Sequence, residues 1–142
     1  MEESRYAAAP AEQSTRVDNE VRAERPRILV VEDDGSAREV LALLLRYYGY
    51  EVAVASNGAD AMSLVTDVSP DLVVMDWLMP GLSGVALCLA IRERRQTLPI
   101  IVVSSAEEVF EREQPVNARL RKPVDPPLLH RVIGDELARA GT

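Results

Sequence analysis

Leu72-Val73-Val74-Met75 is an apolar, partly β-branched run that ends in one carboxylate, Asp76. Such a run suits a buried parallel strand, and the carboxyl end of such a strand is where open α/β sheets present ligand-binding groups. A second run, Ile28-Leu29-Val30-Val31, ends in Glu32-Asp33-Asp34. Two strands that deliver these acids to one sheet edge create a self-repelling carboxylate cluster, and hard oxygen donors of this kind suit Mg²⁺. A third run, Pro99 to Val103, leads into Ser104-Ser105. Among fifteen arginines the chain has one lysine, Lys122, followed by Pro123. Lysine carries a compact point charge where arginine carries a fork, and a lysine–proline bond admits a cis form that fixes the direction of the side chain. Acids, a hydroxyl and one ammonium group form a set suited to phosphoryl transfer onto a carboxylate. Asp76 attacks in line, while the metal and Lys122 offset charge on the phosphoryl oxygens.

These residues need a scaffold, and the alternation of patterns from Arg27 onward supplies one. Strands are expected at 28–32, 51–55, 72–76, 99–103 and 118–121. Helices are expected at 36–47, 59–67, 84–94, 106–112 (weak) and 126–139. Gly49 stops the first helix, and Pro126-Pro127 opens the last. Five strand–helix repeats make an α/β fold with a doubly wound five-stranded parallel sheet. Asp34, the third acid of its run, is placed to cap the first helix.

The chain has 142 residues, enough for one domain, and a hydrophobic fraction of 47%, ample for a core. Residues 1–25 hold few large apolar groups and are read as a flexible tail, leaving 26–140 as the folded domain. A net charge of −7 argues against a nucleic-acid surface. The single cysteine, Cys88, lies in an apolar helical stretch and is read as a packed core thiol. No apolar stretch is long enough to cross a membrane and the N-terminus is acidic, so neither a membrane span nor a signal peptide is expected, and the setting is read as cytoplasmic.

Residues 27 to about 139 resemble the receiver domain of two-component response regulators. The motifs that carry the resemblance are Val30-Val31-Glu32-Asp33-Asp34, Met75-Asp76-Trp77-Leu78-Met79-Pro80-Gly81, Val103-Ser104-Ser105 and Lys122-Pro123. The resemblance implies a flavodoxin-like (βα)5 sheet order, with Asp76 as phosphoacceptor and Asp33 as a direct Mg²⁺ ligand. It implies that Glu32 acts through a metal-bound water and that the Leu78 main-chain carbonyl completes the protein ligands. Ser104 matches the switch hydroxyl and Lys122 the phosphate-binding lysine. The implied partners are a sensor histidine kinase or histidine phosphotransfer protein and a downstream protein. The chain is then expected to be a stand-alone receiver that signals by protein contact and catalyses only its own phosphoryl transfer and loss.

Several positions depart from the family pattern. Arg119 stands three residues before Lys122, where an aromatic ring is usual, and is expected at the surface, paired with Glu107, Glu108 or Glu111. The interval from Ser104 to Lys122 is about four residues short, roughly one helical turn, so the fourth helix is expected to be short. Trp77 is expected to shield the rim of the site. His130 is read as a solvated helix residue rather than a phosphorelay histidine. The alternative function is a binding module that keeps the fold without needing phosphorylation. A phosphatase with an aspartyl intermediate would require an acid at position 78, and a flavin phosphate would be repelled by the acids after the first strand.

Overall fold

Strand β1 (Arg27–Val31) opens the fold of the computed structural model, which describes residues 25–77, 83–111 and 114–141. It is followed by α1 (Gly35–Tyr47), β2 (Glu51–Ala55), α2 (Gly58–Asp67), β3 (Leu72–Met75), α3 (Gly84–Arg94), β4 (Ile100–Ser104), α4 (Glu108–Glu111), β5 (Ala118–Arg121) and α5 (Pro126–Gly141). The five strands form one parallel sheet in the order β2-β1-β3-β4-β5. Each expected strand and helix is present. The fourth helix, anticipated at 106–112, begins at Glu108, and its described part runs to Glu111; the anticipated end at 112 lies outside the described residues. Residues 1–24, and with them nearly all of the expected tail, lie outside the described residues.

The three central strands are buried on both faces, which is why they read as continuous apolar runs rather than alternating ones. Leu29, Val31, Val73, Met75, Ile100 and Val102 face one layer, with Ala61 and Val65 of α2, Leu87, Cys88 and Ile91 of α3, and Val109 of α4. Ile28, Val30, Leu72, Val74, Ile101 and Val103 face the other, with Leu45 of α1 and Leu129 and Ile133 of α5. The period-2 alternation of side chains thus divides each strand between two cores.

Local signals set the helix ends. The Asp34, Asn57 and Ser83 side chains accept hydrogen bonds from the Ala37, Asp60 and Ala86 amides at 2.8, 2.8 and 3.1 Å, each satisfying an orphan donor of a first turn. Gly49, with φ of 99°, ends α1 in a left-handed conformation that glycine adopts without a Cβ penalty.

His130 corrects an expectation. It is half-buried rather than solvated, stacked on the Tyr48 ring with centroids 4.1 Å apart, and its Nδ1 lies 3.4 Å from the Tyr50 hydroxyl. The contact ties α5 to the end of α1. Among the described residues, no helix is long and apolar enough to cross a membrane.

Candidate functional site: an acid cluster closed by one lysine

Parallel pairing in register brings several strand ends to one edge. Val31 lies beside Met75, and the Asp76 amide then donates to the Val31 carbonyl at 3.0 Å, so the first residues beyond β1 and β3 emerge together. Carboxylate oxygens of Glu32, Asp33 and Asp76 lie within 4.8 Å of one another. On the other side of β3, Ser104 ends β4, and its carbonyl accepts from the Lys122 amide at 3.1 Å. That bond carries Lys122 past the end of β5, where the Lys122–Pro123 peptide is cis. The ammonium group reaches back across β4, and Nζ lies 3.2 Å from Glu32 Oε1 and 3.2 Å from Asp76 Oδ2.

The environments of the three acids differ. Glu32 is buried, and its second oxygen accepts from the Asp34 amide at 3.2 Å. Burial raises its pKa, the neighbouring Asp76 charge adds to the rise, and the Asp34 amide and Lys122 offset only part of it. Asp33 is exposed and Asp76 is intermediate. For Lys122, burial alone would lower the pKa, but the charges of Asp76 and Glu32 outweigh it and the net direction is upward, so the ammonium form is secured. Three carboxylates facing one ammonium leave an excess of negative charge. The donor set is all oxygen, partly open to solvent, and fits a hard divalent cation such as Mg²⁺.

Ser104 is fully buried at the end of β4, between the strands that carry Asp76 and Lys122. Its oxygen accepts from the Ala106 amide at 3.0 Å, so its described hydrogen bond lies within its own turn rather than with the acids. Leu78, named from sequence as a carbonyl ligand, lies outside the described residues. Asp34 caps α1 and takes no place in the cluster.

Trp77 is not a rim residue. It is 6% exposed and belongs to the α2–α3 core layer. Gly84, the first residue of α3, makes the room: a Cβ there would lie 2.5 Å from the indole ring. Arg119 is exposed as expected, and its guanidinium donates to the Val109 carbonyl at 3.1 Å. Of its three expected partners, Glu107 pairs with Arg121 at 2.7 Å, and the Glu108 and Glu111 side chains lie outside the described residues. Sequence reading also missed Arg38, whose Nη1 donates to the Glu32 carbonyl at 2.9 Å and, more weakly, to that of Asp33 at 3.4 Å. An arginine one turn into a helix that follows an acidic loop was the available signal.

Comparison with known proteins agrees with this geometry. Residues 28–134 match the response regulator receiver domain family. The response regulator MprA of Mycobacterium sp. (strain KMS) is 42% identical over 86 residues, which cover 61% of this chain and 37% of that protein. A solved sensor protein from Polaromonas sp. JS666 is 32% identical, covers 82% of this chain and 98% of its own, and superposes with a TM-score of 0.76. TrrA of Thermotoga maritima, solved in complex with Mg²⁺-BeF, is 28% identical over 78% of this chain and 98% of its own, with a TM-score of 0.74. With family match, sheet order and strand-end acids in agreement, the chain belongs to the response regulator receiver domains of two-component signalling.

Proposed function

We propose that Asp76 accepts a phosphoryl group from the phosphohistidine of a histidine kinase or histidine phosphotransfer protein. The signal then passes to a downstream protein by contact. The observation that carries this reading is the position of Asp76 at the end of β3, with Lys122 Nζ at 3.2 Å and the Glu32 and Asp33 carboxylates beside it. An Asp76 oxygen forms the new bond to phosphorus as the phosphorus–nitrogen bond breaks, and the electron pair of that bond leaves with the imidazole. Lys122 is held protonated and close enough to meet the charge that develops on the phosphoryl oxygens. The Ser104 hydroxyl hydrogen supplies a donor from the neighbouring strand end.

Glu32, Asp33 and Asp76 would hold Mg²⁺, with Asp33 as a direct ligand, Glu32 through water, and the Leu78 carbonyl as a further ligand. When bound, the ion supplies positive charge at the phosphoryl oxygens. That the related TrrA is solved in complex with Mg²⁺-BeF supports Mg²⁺ as the ion. The chemistry is the protein's own phosphorylation and its loss, without turnover of a separate substrate, and the setting of the histidine-kinase pathway is the cytoplasm.

Incubation with acetyl phosphate and Mg²⁺, followed by intact mass measurement, tests the reading. The wild type should gain the mass of one phosphoryl group, and Asp76→Asn should gain none. An unmodified wild type would favour the phosphorylation-independent binding module, and full labelling of Asp76→Asn would move the acceptor elsewhere.

A further inference from the structure

The described part of α4 is about one turn, and a single turn gains little by itself, because helix nucleation fixes several dihedrals for its first hydrogen bond. The α4 turn therefore depends on its neighbours. Ala118 and Leu120 of β5 pack against the α1–α5 layer, so the alternation of the strand turns Arg119 and Arg121 toward the face that carries α4. Both side chains reach the turn. Arg119 Nη1 donates to the Val109 carbonyl at 3.1 Å. Arg121 Nη1 pairs with Glu107 Oε2 at 2.7 Å, and its guanidinium carbon lies 4.0 Å from the centre of the Phe110 ring. The same short segment holds the other end of the site's hydroxyl: the Ala106 amide donates to Ser104 Oγ at 3.0 Å, and the Val109 amide donates to the Ala106 carbonyl at 3.3 Å.

Arg121 also precedes Lys122, whose ammonium group bridges Asp76 and Glu32 and whose amide is bonded to Ser104. We infer that Arg121 is the positioning residue that ties the α4 turn to the acid–lysine site, with Arg119 as a second tether on the same turn. The guanidinium makes two unlike contacts, an ion pair with Glu107 and a stack on Phe110, so it fixes both the start of the turn and its ring. A displacement of Lys122 or Ser104 at the acid cluster reaches α4 through one peptide unit and one side chain. The coupling half of this inference rests on Asp76 being the phosphoacceptor; the clasp itself does not. Both contacts of Arg121 are solvent-accessible, so the clasp is weak enough to open and close without unfolding the domain.

Hydrogen exchange of the peptide spanning residues 105–111, read by mass spectrometry on the full chain with and without acetyl phosphate and Mg²⁺, tests it. Without phosphate, Arg121→Ala should exchange at least about threefold faster there than the wild type, as expected for the loss of a local restraint. Arg121→Ala should still take up phosphate, which also shows that it is folded. The exchange difference between phosphorylated and unphosphorylated protein, present in the wild type, should largely vanish in the variant. Combining Arg121→Glu with Glu107→Arg should restore part of the basal protection, which a mere loss of bulk would not allow. The inference is overturned by wild-type exchange in unphosphorylated Arg121→Ala, by a failure of the double variant to recover protection, or by a phosphorylated wild type with no change at 105–111. If the wild type takes no phosphoryl group, the acceptor reading fails, and the basal comparison still decides the clasp.

Discussion

Lys122 and Asp76, 46 residues apart in the chain, meet at 3.2 Å because β4 lies between their strands and the lysine reaches back over it. The same ammonium group serves the buried Glu32 at 3.2 Å. Removing it would leave a nearly enclosed carboxylate facing another without the ammonium charge that bridges them.

Lys122→Ala should therefore destabilise the metal-free protein at neutral pH by about 1–2 kcal/mol. The figure is held below that for a fully buried pair because 33% of the lysine side chain is exposed. Mg²⁺ should restore much of the loss by replacing the missing positive charge. Urea denaturation with and without Mg²⁺ measures both effects, and a variant as stable as wild type in chelator would show that Glu32 does not depend on Lys122.

Millimolar Mg²⁺ should raise the melting temperature of the wild type, since a ligand that binds only the folded state stabilises it. Asp33→Ala should lose most of that shift, whereas Glu32→Gln should keep part of it, as a water-mediated ligand is easier to replace. Thermal melts across a Mg²⁺ series separate the two. Equal shifts in wild type and Asp33→Ala would place the cation away from this cluster.

Gly84→Ala should destabilise the protein even though alanine is the better helix former. The propensity gain is at most ~1 kcal/mol. The added Cβ would lie 2.5 Å from the Trp77 indole, and relieving that overlap costs about 1–3 kcal/mol, so the clash wins. Equilibrium unfolding followed by the emission of this only tryptophan reads the sign directly.

Cys88 should be inert to thiol reagents in the native state at about pH 8 and react once the protein is unfolded. Burial pushes its thiol up to about 12 against an ordinary 9.0, with Arg92 opposing only part of the shift. Between those values the unfolded chain loses a proton that the folded chain keeps, so this group makes stability fall as pH rises above 9.0. Cys88→Ala should flatten that part of the pH profile.

The backbone plan and the membership of the acid cluster were legible in the sequence, because both rest on local patterns. Apolar runs of strand length ended in acids, Asp34 stood at a cap position, and a shortened interval after Ser104 called for a short α4. What the sequence could not decide was which side chains meet across long separations. Glu107 could have paired with Arg119 or Arg121, and strand alternation allowed either; the structure gives it Arg121, while Arg119 reaches the Val109 carbonyl. His130 read as one more polar helix residue, yet α5 packs beside the end of α1 and stacks it on Tyr48. Trp77 follows the acceptor and looked like a rim residue, but the missing side chain at Gly84 opens a space in the core that the indole fills. Periodicity and strand-end chemistry are short-range properties that the sequence determined by itself. The direction and partner of each side chain depend on which helix is packed over which strand, and that only the tertiary structure decided.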